Sequence, residues 1–216
     1  TASTLIKEQE GTNTVSQISQ TTVFDKRDNR YEPKDGYVVS LTNELAGLSG
    51  DTQHLRTRIK TGYFVSLFED KVLAFIAESG HIIGIDQDVN IGERFFLGGQ
   101  TVRGFSNSGI GPRDGITNDA LGGNTYYAGS IELRFPLGLG EELGINGSLF
   151  TDVGSLWSLD RDSSDILDSS GARVSAGLGV SWATGLGLMR VDFASALLKE
   201  DWDETEFVRF SFGTRF

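Results

Sequence analysis

A period of two residues separates apolar from polar side chains in the C-terminal segment 206–216. One parity of this segment carries Val208, Phe210, Phe212, Thr214 and Phe216. The other parity carries Arg209, Ser211, Gly213 and Arg215. An α-helix would scatter these residues around its axis, whereas a β-strand places alternate side chains on opposite faces. The pattern therefore predicts a terminal strand with one apolar face, and Gly213 lies within it.

The same alternation recurs along the chain and predicts eight well-marked strands and one weak strand. The predicted strands are Val15–Asp25, 36–45, 52–66, 71–83, 125–135, 144–154, 172–182, 189–193 and 206–216. The first is the weakest, because only Ile18 and Phe24 are apolar on its better face.

The predicted connections alternate in length along the chain. Short or turn-rich connections are expected at 25–35, 68–70, 136–142 and 183–186. Longer polar loops are expected at 46–53, about 84–124, 158–171 and 199–205. Short turns on one rim and long loops on the other are typical of an all-β, antiparallel up-and-down barrel. Phe216 then lies on the rim with the short turns.

The composition excludes several classes of protein. The chain carries 19 Lys and Arg against 30 Asp and Glu, a net charge of −11, which argues against nucleic-acid binding. It has no Cys and only two His, so we expect no metal and no cofactor. Neither His54 nor His81 lies in a nucleophile motif, and we expect no catalytic residues. We also expect the chain to be either mature or part of a longer protein, because no basic-then-apolar leader begins it.

The polar face of the predicted strands favours a transmembrane barrel. A membrane strand needs only about 9–11 residues with one apolar face, so a mean hydropathy near zero does not exclude it. The polar parity is rich in Gly, Ser and Arg and poor in Lys, and aromatic residues cluster near strand ends. A soluble sandwich or a lipocalin-like barrel is the alternative. In the membrane barrel, the side chains that face lipid include Phe210, Leu133 and Val180. The enclosed side chains include Arg209, Glu132 and Ser181.

The long loop at about 84–124 carries the most specific motifs, and loops above about 12–15 residues are usually functional or disordered. These motifs are Phe95-Phe96-Leu97-Gly98-Gly99, Val102-Arg103-Gly104-Phe105, Gly111-Pro112-Arg113-Asp114 and Gly122-Gly123-Asn124. Downstream follow Phe150-Thr151-Asp152-Val153-Gly154 and the Phe-rich terminal strand. As a set, from about Thr14 to Phe216, they make the sequence resemble the BamA superfamily of outer-membrane protein assembly factors.

The resemblance implies a 16-stranded barrel in the outer membrane of a Gram-negative bacterium. The chain, residues 1–216, would be its C-terminal half, without the first half of the barrel and the periplasmic POTRA domains. Residues 1–13 would be the tail of an extracellular loop. The implied function is folding and insertion of other β-barrel proteins. The implied partners are outer-membrane lipids, nascent barrel proteins and, through the POTRA domains, accessory lipoproteins.

Arg103 has two interpretations on the residues alone. It is either a solvated loop residue, with Glu132 paired to Arg134 or to a neighbouring strand, or a cation that compensates Glu132 and Asp152 inside the barrel. A guanidinium binds carboxylates bidentately, and Gly104 permits a tight backbone course beside it. The resemblance implies the second interpretation, with the motif of Val102, Arg103, Gly104 and Phe105 folded inward as a structural anchor.

The resemblance also implies that the first and last strands of the barrel form a weak seam that opens sideways. The seam residues in this chain are Val208, Phe210, Phe212, Gly213 and Phe216. A polypeptide-exporting two-partner secretion transporter and a passive pore remain alternative functions. For the chain alone, even strand counts favour an eight-stranded barrel with the first segment unpaired. Such a barrel has little interior room, so expulsion of the Arg103 loop is an open alternative. Two copies joined into a larger barrel are the alternative.

Overall fold

Nine long antiparallel strands form one sheet in the computed structural model, which describes residues 3–68, 70–138, 144–161, 163–184 and 187–213. The strands of this sheet are β1 Val15–Asp25, β2 Gly36–Gly50, β3 His54–Phe68, β4 Lys71–Gly84, β6 Thr125–Pro136, β7 Ile145–Trp157, β9 Arg173–Thr184, β10 Gly187–Leu198 and β11 Val208–Phe212. Two short strands, β5 Arg113–Asp114 and β8 Ile166–Leu167, pair with each other. Helix α1 spans Thr4–Glu8, and a 3-10 turn spans Ile91–Glu93.

Each long strand pairs with the next long strand along the chain, so the sheet is an up-and-down meander. All nine predicted segments form strands of this sheet, which confirms the predicted fold class. The sheet is open, with β1 and β11 at its two edges. Among the described residues, no helix combines the length and the apolar character needed to cross a bilayer.

The two faces of the sheet have opposite chemistry, as the alternation predicts. Phe210 is 72% exposed on the outer face, and Leu133 and Val180 are half-buried there. Glu132 is 1% exposed on the opposite, inner face. Apolar side chains that face outward while carboxylates are enclosed are typical of a transmembrane barrel. The prediction about side-chain orientation is therefore confirmed.

The structure corrects the predicted pairing of the first segment and the predicted ends of two strands. The expected unpaired first segment is wrong, because β1 pairs with β2 at ten positions. The expected long loop at 46–53 is wrong as well, since Ala46 is still paired with His54 and β2 continues to Gly50. The terminal strand is shorter than predicted and ends at Phe212, so Gly213 follows it with φ +93°. Phe216 and part of the turn at 136–142 lie outside the described residues.

The long loop between β4 and β6 folds against the inner face of the sheet and is not expelled from it. Its apolar residues join those of β4, β6 and β7 in one buried cluster. The cluster consists of Ile82, Val89, Phe95, Leu97, Val102, Phe105, Ile110, Tyr126, Ala128 and Leu156. Burial of these side chains supplies the hydrophobic free energy that holds the loop inside. The loop therefore has a fixed position from which its polar residues reach the strands.

Candidate functional site: an enclosed guanidinium anchor

Arg103 reaches three neighbouring inner-face side chains from the loop. Its Nε donates to Asp152 Oδ2 at 2.7 Å, and its Nη2 donates to Asp152 Oδ1 at 2.7 Å. Its Nη1 donates to Glu132 Oε2 at 2.6 Å, and Nη2 also donates to Ser130 Oγ at 3.0 Å. The Arg103 side chain is 3% exposed. The structure thus brings together the arginine and both carboxylates singled out in the sequence.

Glu132 lies at the centre of a larger group of charges. Arg134 Nε and Arg190 Nη1 donate to Glu132 Oε1 at 2.7 and 3.0 Å, and Arg190 Nη2 donates to Oε2 at 2.8 Å. Arg190 also donates through Nε to both oxygens of Asp192, at 2.8 Å each. We call the following residues the inner-face charge cluster: Arg103, Arg134, Arg190, Glu132, Asp152 and Asp192. Its three cations balance its three anions, as burial of such groups requires.

The strands around the cluster make room for it with small residues. Arg103 Cζ lies 3.3 Å from the centre of the Phe150 ring, so the guanidinium stacks on that ring. Gly177 faces the same ring, and a Cβ at this position would lie 2.6 Å from Phe150 Cζ. A Cβ at Gly179 would lie 2.7 Å from Ser148 Oγ and would also overlap Asp192. The glycines of the polar parity therefore serve packing inside the barrel.

The neighbours of Arg103 in its motif are fixed by burial and by backbone conformation. Val102 and Phe105 are both fully buried in the cluster that holds the loop. Gly104 has φ +89°, and a Cβ there would lie 3.1 Å from the Cβ of Ser175 and 3.4 Å from that of Ala194. A side chain at Gly104 would be strained and would press the loop away from β9 and β10.

Of the predicted seam residues, three lie in β11, one lies just beyond it and one lies outside the described residues. Val208, Phe210 and Phe212 belong to β11, which pairs with β10 at five positions. Gly213 lies just beyond the strand, and its amide donates to the carbonyl of Leu188 at 2.8 Å. Phe216 lies outside the part of the chain that the structure describes.

Sequence reasoning missed Arg190 and Asp192 as members of the charge cluster, although their parity already indicated the inner face. Their contact with Glu132 depends on the register across β6, β7, β9 and β10. In that register Asp192 lies opposite Gly179, which lies opposite Ser148. Because Gly179 has no side chain and Ser148 has a small one, Arg190 can span the distance to Glu132, and the alternation alone does not reveal this.

The sheet has one apolar outer face and one enclosed polar face, and a buried guanidinium ties a long loop to the enclosed face. This combination defines a segment of an outer-membrane β-barrel. Comparison with known proteins agrees with this class. The chain belongs to the Omp85 superfamily, since residues 1–216 match the Omp85 superfamily domain.

Two relatives within the superfamily are similar to this chain over most of its length. The chain is 40% identical over 207 residues to the outer membrane protein assembly factor BamA of Neorickettsia risticii. The aligned region covers 95% of this chain and 28% of that protein. It is 38% identical over 153 residues to the sorting and assembly machinery component 50 homolog of Xenopus tropicalis, covering 69% of this chain and 32% of that protein. The chain thus spans about a third or less of these relatives.

A solved structure shows the same fold. The crystal structure of BamA from Haemophilus ducreyi lacking POTRA domains 1-3 matches with a TM-score of 0.82 and 20% sequence identity. The match covers 92% of this chain and 42% of that one. At 20% identity, the match shows that the two chains share a fold.

Proposed function

We propose that the protein containing this chain assembles other β-barrel proteins in the outer membrane, and that the chain supplies the anchored loop and the terminal strand for that task. The observation that carries the proposal is the 40% identity with an assembly factor over 95% of the chain. The proposed partners are outer-membrane lipids, unfolded barrel proteins and accessory lipoproteins bound by POTRA domains.

The physical problem in barrel assembly is the free edge of a strand in lipid. Each unpaired backbone donor or acceptor there costs several kcal/mol. An edge that pairs with the incoming strand lowers this cost. We assign this role to β11, because it pairs with β10 at only five positions, whereas β9 and β10 pair at eleven. Among the described residues, β11 has the fewest paired positions of the nine strands, and two further backbone hydrogen bonds, from Ala194 to the carbonyl of Phe207 and from Gly213 to the carbonyl of Leu188, flank them.

Arg103 acts as a structural anchor in this proposal and takes part in no bond-making step. It connects the loop to Glu132 on β6 and to Asp152 on β7. A loop tied to these strands stays inside while β11, at the edge of the sheet, changes its partner. The anchor thus keeps one part of the barrel rigid beside a part that must move.

Reconstitution of the full-length protein in liposomes tests the proposal. A urea-denatured outer-membrane barrel protein is added, and its folding is followed by the shift in electrophoretic mobility of unheated samples. We expect the full-length protein to accelerate this folding over protein-free liposomes. Transport of one exported polypeptide without acceleration would instead identify a secretion transporter. Ion conductance without either activity would identify a passive pore.

A further inference from the structure

A groove of about 530 Å³ crosses the outer face of the sheet from β2 to β7. Its floor consists of residues with short side chains that lie opposite one another on β3, β4 and β6, namely Thr61, Ala77 and Gly129. Val39 of β2 and Val153 of β7 continue the same row and close its two ends. A Cβ at Gly129 would make an ordinary 3.4 Å contact with Val153, so the floor has room for an occupant.

Larger apolar side chains stand along one side of the groove. They lie two residues further along the same three strands and are Tyr63, Phe75 and Ile131. The rings of Tyr63 and Phe75 are 6.3 Å apart, and both side chains project from the outer face. The difference in length between the two rows of side chains gives the groove its depth.

The polar atoms of the groove floor are bound within the sheet. Thr61 Oγ1 donates to the carbonyl of Ala77 at 3.3 Å. Ser79, the next outward residue of β4, donates through Oγ to the carbonyl of Tyr126 at 2.9 Å. The backbone groups of these strands pair with one another. The groove therefore presents apolar surface, which suits a hydrocarbon chain better than a polar ligand.

The position of the groove matches the inner end of a lipid chain. Lys71 begins β4 at the short-turn, periplasmic end and has the same parity as Phe75 and Ala77. The six residues from Lys71 to Ala77 span about 20 Å along the strand, and a strand tilt of about 40° converts this to about 15 Å of depth. That depth is half of a hydrocarbon core about 30 Å thick. A lipid with its headgroup at Lys71 thus brings the end of an acyl chain to the groove.

The charges at the two ends of β4 favour an anionic headgroup on the periplasmic side. Lys71 is exposed, and its Nζ lies 6.0 Å from the centre of the Phe68 ring. Asp70, the preceding residue, lines the cavity on the inner side of the sheet. The loops at the opposite end carry exposed carboxylates at Asp51 and Asp86. A lipid phosphate is therefore attracted at the Lys71 end and repelled at the other end.

We propose that the groove binds one acyl chain of an anionic phospholipid of the periplasmic leaflet, with the phosphate beside Lys71. Lipid tails are as apolar as the groove, so the selectivity comes from van der Waals packing on the indented surface and from the charge of Lys71. The site distinguishes one lipid from the general contact that the outer face makes with the membrane. It does not depend on the proposed assembly function.

Photo-cross-linking of the full-length protein in phosphatidylcholine liposomes tests the site. Two lipid probes carry a diazirine at the end of one acyl chain, and one has a phosphatidylglycerol headgroup and the other a phosphatidylcholine headgroup. Mass spectrometry maps the labelled residues. We expect the phosphatidylglycerol probe to label Thr61, Ala77 and Gly129 with about fivefold higher yield than the other probe, the factor expected for one Lys near an anionic lipid.

Two pairs of variants separate the acyl and headgroup parts of the site. Ala77→Leu fills the floor and should remove the labelling of the groove by both probes. Ser195→Leu is its control, because Ser195 is also exposed on the outer face but lies on β10, away from the groove. Lys71→Gln should remove the preference for phosphatidylglycerol. Lys34→Gln should retain it, since Lys34 lines the inner cavity.

Three results would overturn the proposal. The first is labelling of the groove no stronger than that of Leu178, which faces outward on β9 and does not line the groove. The second is unchanged labelling in the folded Ala77→Leu variant. The third comes from a probe with its diazirine next to the headgroup, which should label residues near Lys71, and labelling near His81 would place the headgroup at the opposite end. Each readout is independent of assembly activity, so failure of the lipid site and failure of the assembly proposal are separate outcomes.

Discussion

Asp152 accepts hydrogen bonds from both the backbone amide and the guanidinium of Arg103, at 3.0 Å and 2.7 Å to the same oxygen. Its other oxygen accepts from Arg103 Nη2 and from the hydroxyl of Ser130. One carboxylate therefore fixes both the course of the loop backbone and the direction of the side chain. Glu132, in contrast, accepts one hydrogen bond from the guanidinium of Arg103 and three from Arg134 and Arg190.

Asp152→Asn should be strongly destabilising because it leaves the enclosed cations with one anion fewer. Removing one partner of a buried ion pair typically costs about 3–5 kcal/mol. We expect this loss in the free energy of unfolding, measured by denaturant titration in detergent micelles. Asp88→Asn is the control, because Asp88 pairs with Arg161 at the surface, where both side chains are about half exposed. Its cost should stay below about 1 kcal/mol. Similar costs for the two variants would contradict the anchor.

Arg103→Lys separates charge from geometry. Lysine keeps the positive charge, but its ammonium group cannot reproduce the fork that binds Asp152 and Glu132 together. Loss of buried hydrogen bonds should cost about 1–3 kcal/mol, and we expect limited proteolysis to cut the loop much faster than in wild type. Arg161→Lys is the matched control, since that side chain is 61% exposed. A lysine variant with a fully protected loop would show that charge alone suffices.

The nine strands were predictable because lipid on one side and an enclosed space on the other impose a strict alternation. The alternation weakens beyond the bilayer, which is why the predicted end of β2 was wrong. Ala46 is buried and paired with His54, but Leu45 and Leu48 on either side of it differ in parity, so the alternation is broken there. β11 also begins later than predicted, at Val208, and the amide of Glu206 just before it donates to the carbonyl of Gly104, about a hundred residues earlier in the chain. Local pattern carries no information about such a distant partner.

The site could be predicted in part for related reasons. The parity of Glu132 and Asp152 placed both carboxylates on the enclosed face, and the motif around Arg103 identified the candidate cation. The parity also placed Arg190 inside. It did not reveal that Arg190 reaches Glu132 across strands, because that contact depends on the absence of a side chain at Gly179, where a Cβ would lie 3.0 Å from Arg190 Nη2.

Gly179→Ala should destabilise the sheet by crowding the charge cluster. The added Cβ would overlap Asp192 and press on Ser148. Overpacking of this kind typically costs about 1–3 kcal/mol. Gly129→Ala is the control within the same sheet, because the Cβ there would make an ordinary 3.4 Å contact with Val153. We expect Gly129→Ala to be neutral or slightly stabilising in denaturant titration, and equal losses for both variants would exclude crowding as the cause.

Asp114 should give the long loop a specific acid sensitivity. Hydrogen bonds from the Ser3 hydroxyl and from the amides of Thr117 and Ile116 lower the pKa of Asp114 from 3.8 to about 2. Because the folded-state pKa is lowered, the stabilisation is fully present above about pH 4 and is lost as the pH falls towards 2. The difference in unfolding free energy between wild type and Asp114→Asn should therefore be larger at pH 6 than at pH 2.5. The same difference at both pH values would mean that the carboxylate contributes no charge-dependent stabilisation.

Leu149→Arg tests whether the apolar outer face meets hydrocarbon. Leu149 is 51% exposed and lies between Leu133 and Leu178 on neighbouring strands. An arginine facing lipid costs about 2–4 kcal/mol at the bilayer midplane and less towards the interfaces. We expect a loss of this order in the unfolding free energy measured in lipid vesicles. Ile116→Arg is the control, because Ile116 is 81% exposed in the long loop and its replacement should change stability by less than about 0.5 kcal/mol. A water-facing outer surface would tolerate both arginines equally, so equal small effects would contradict the membrane-spanning assignment.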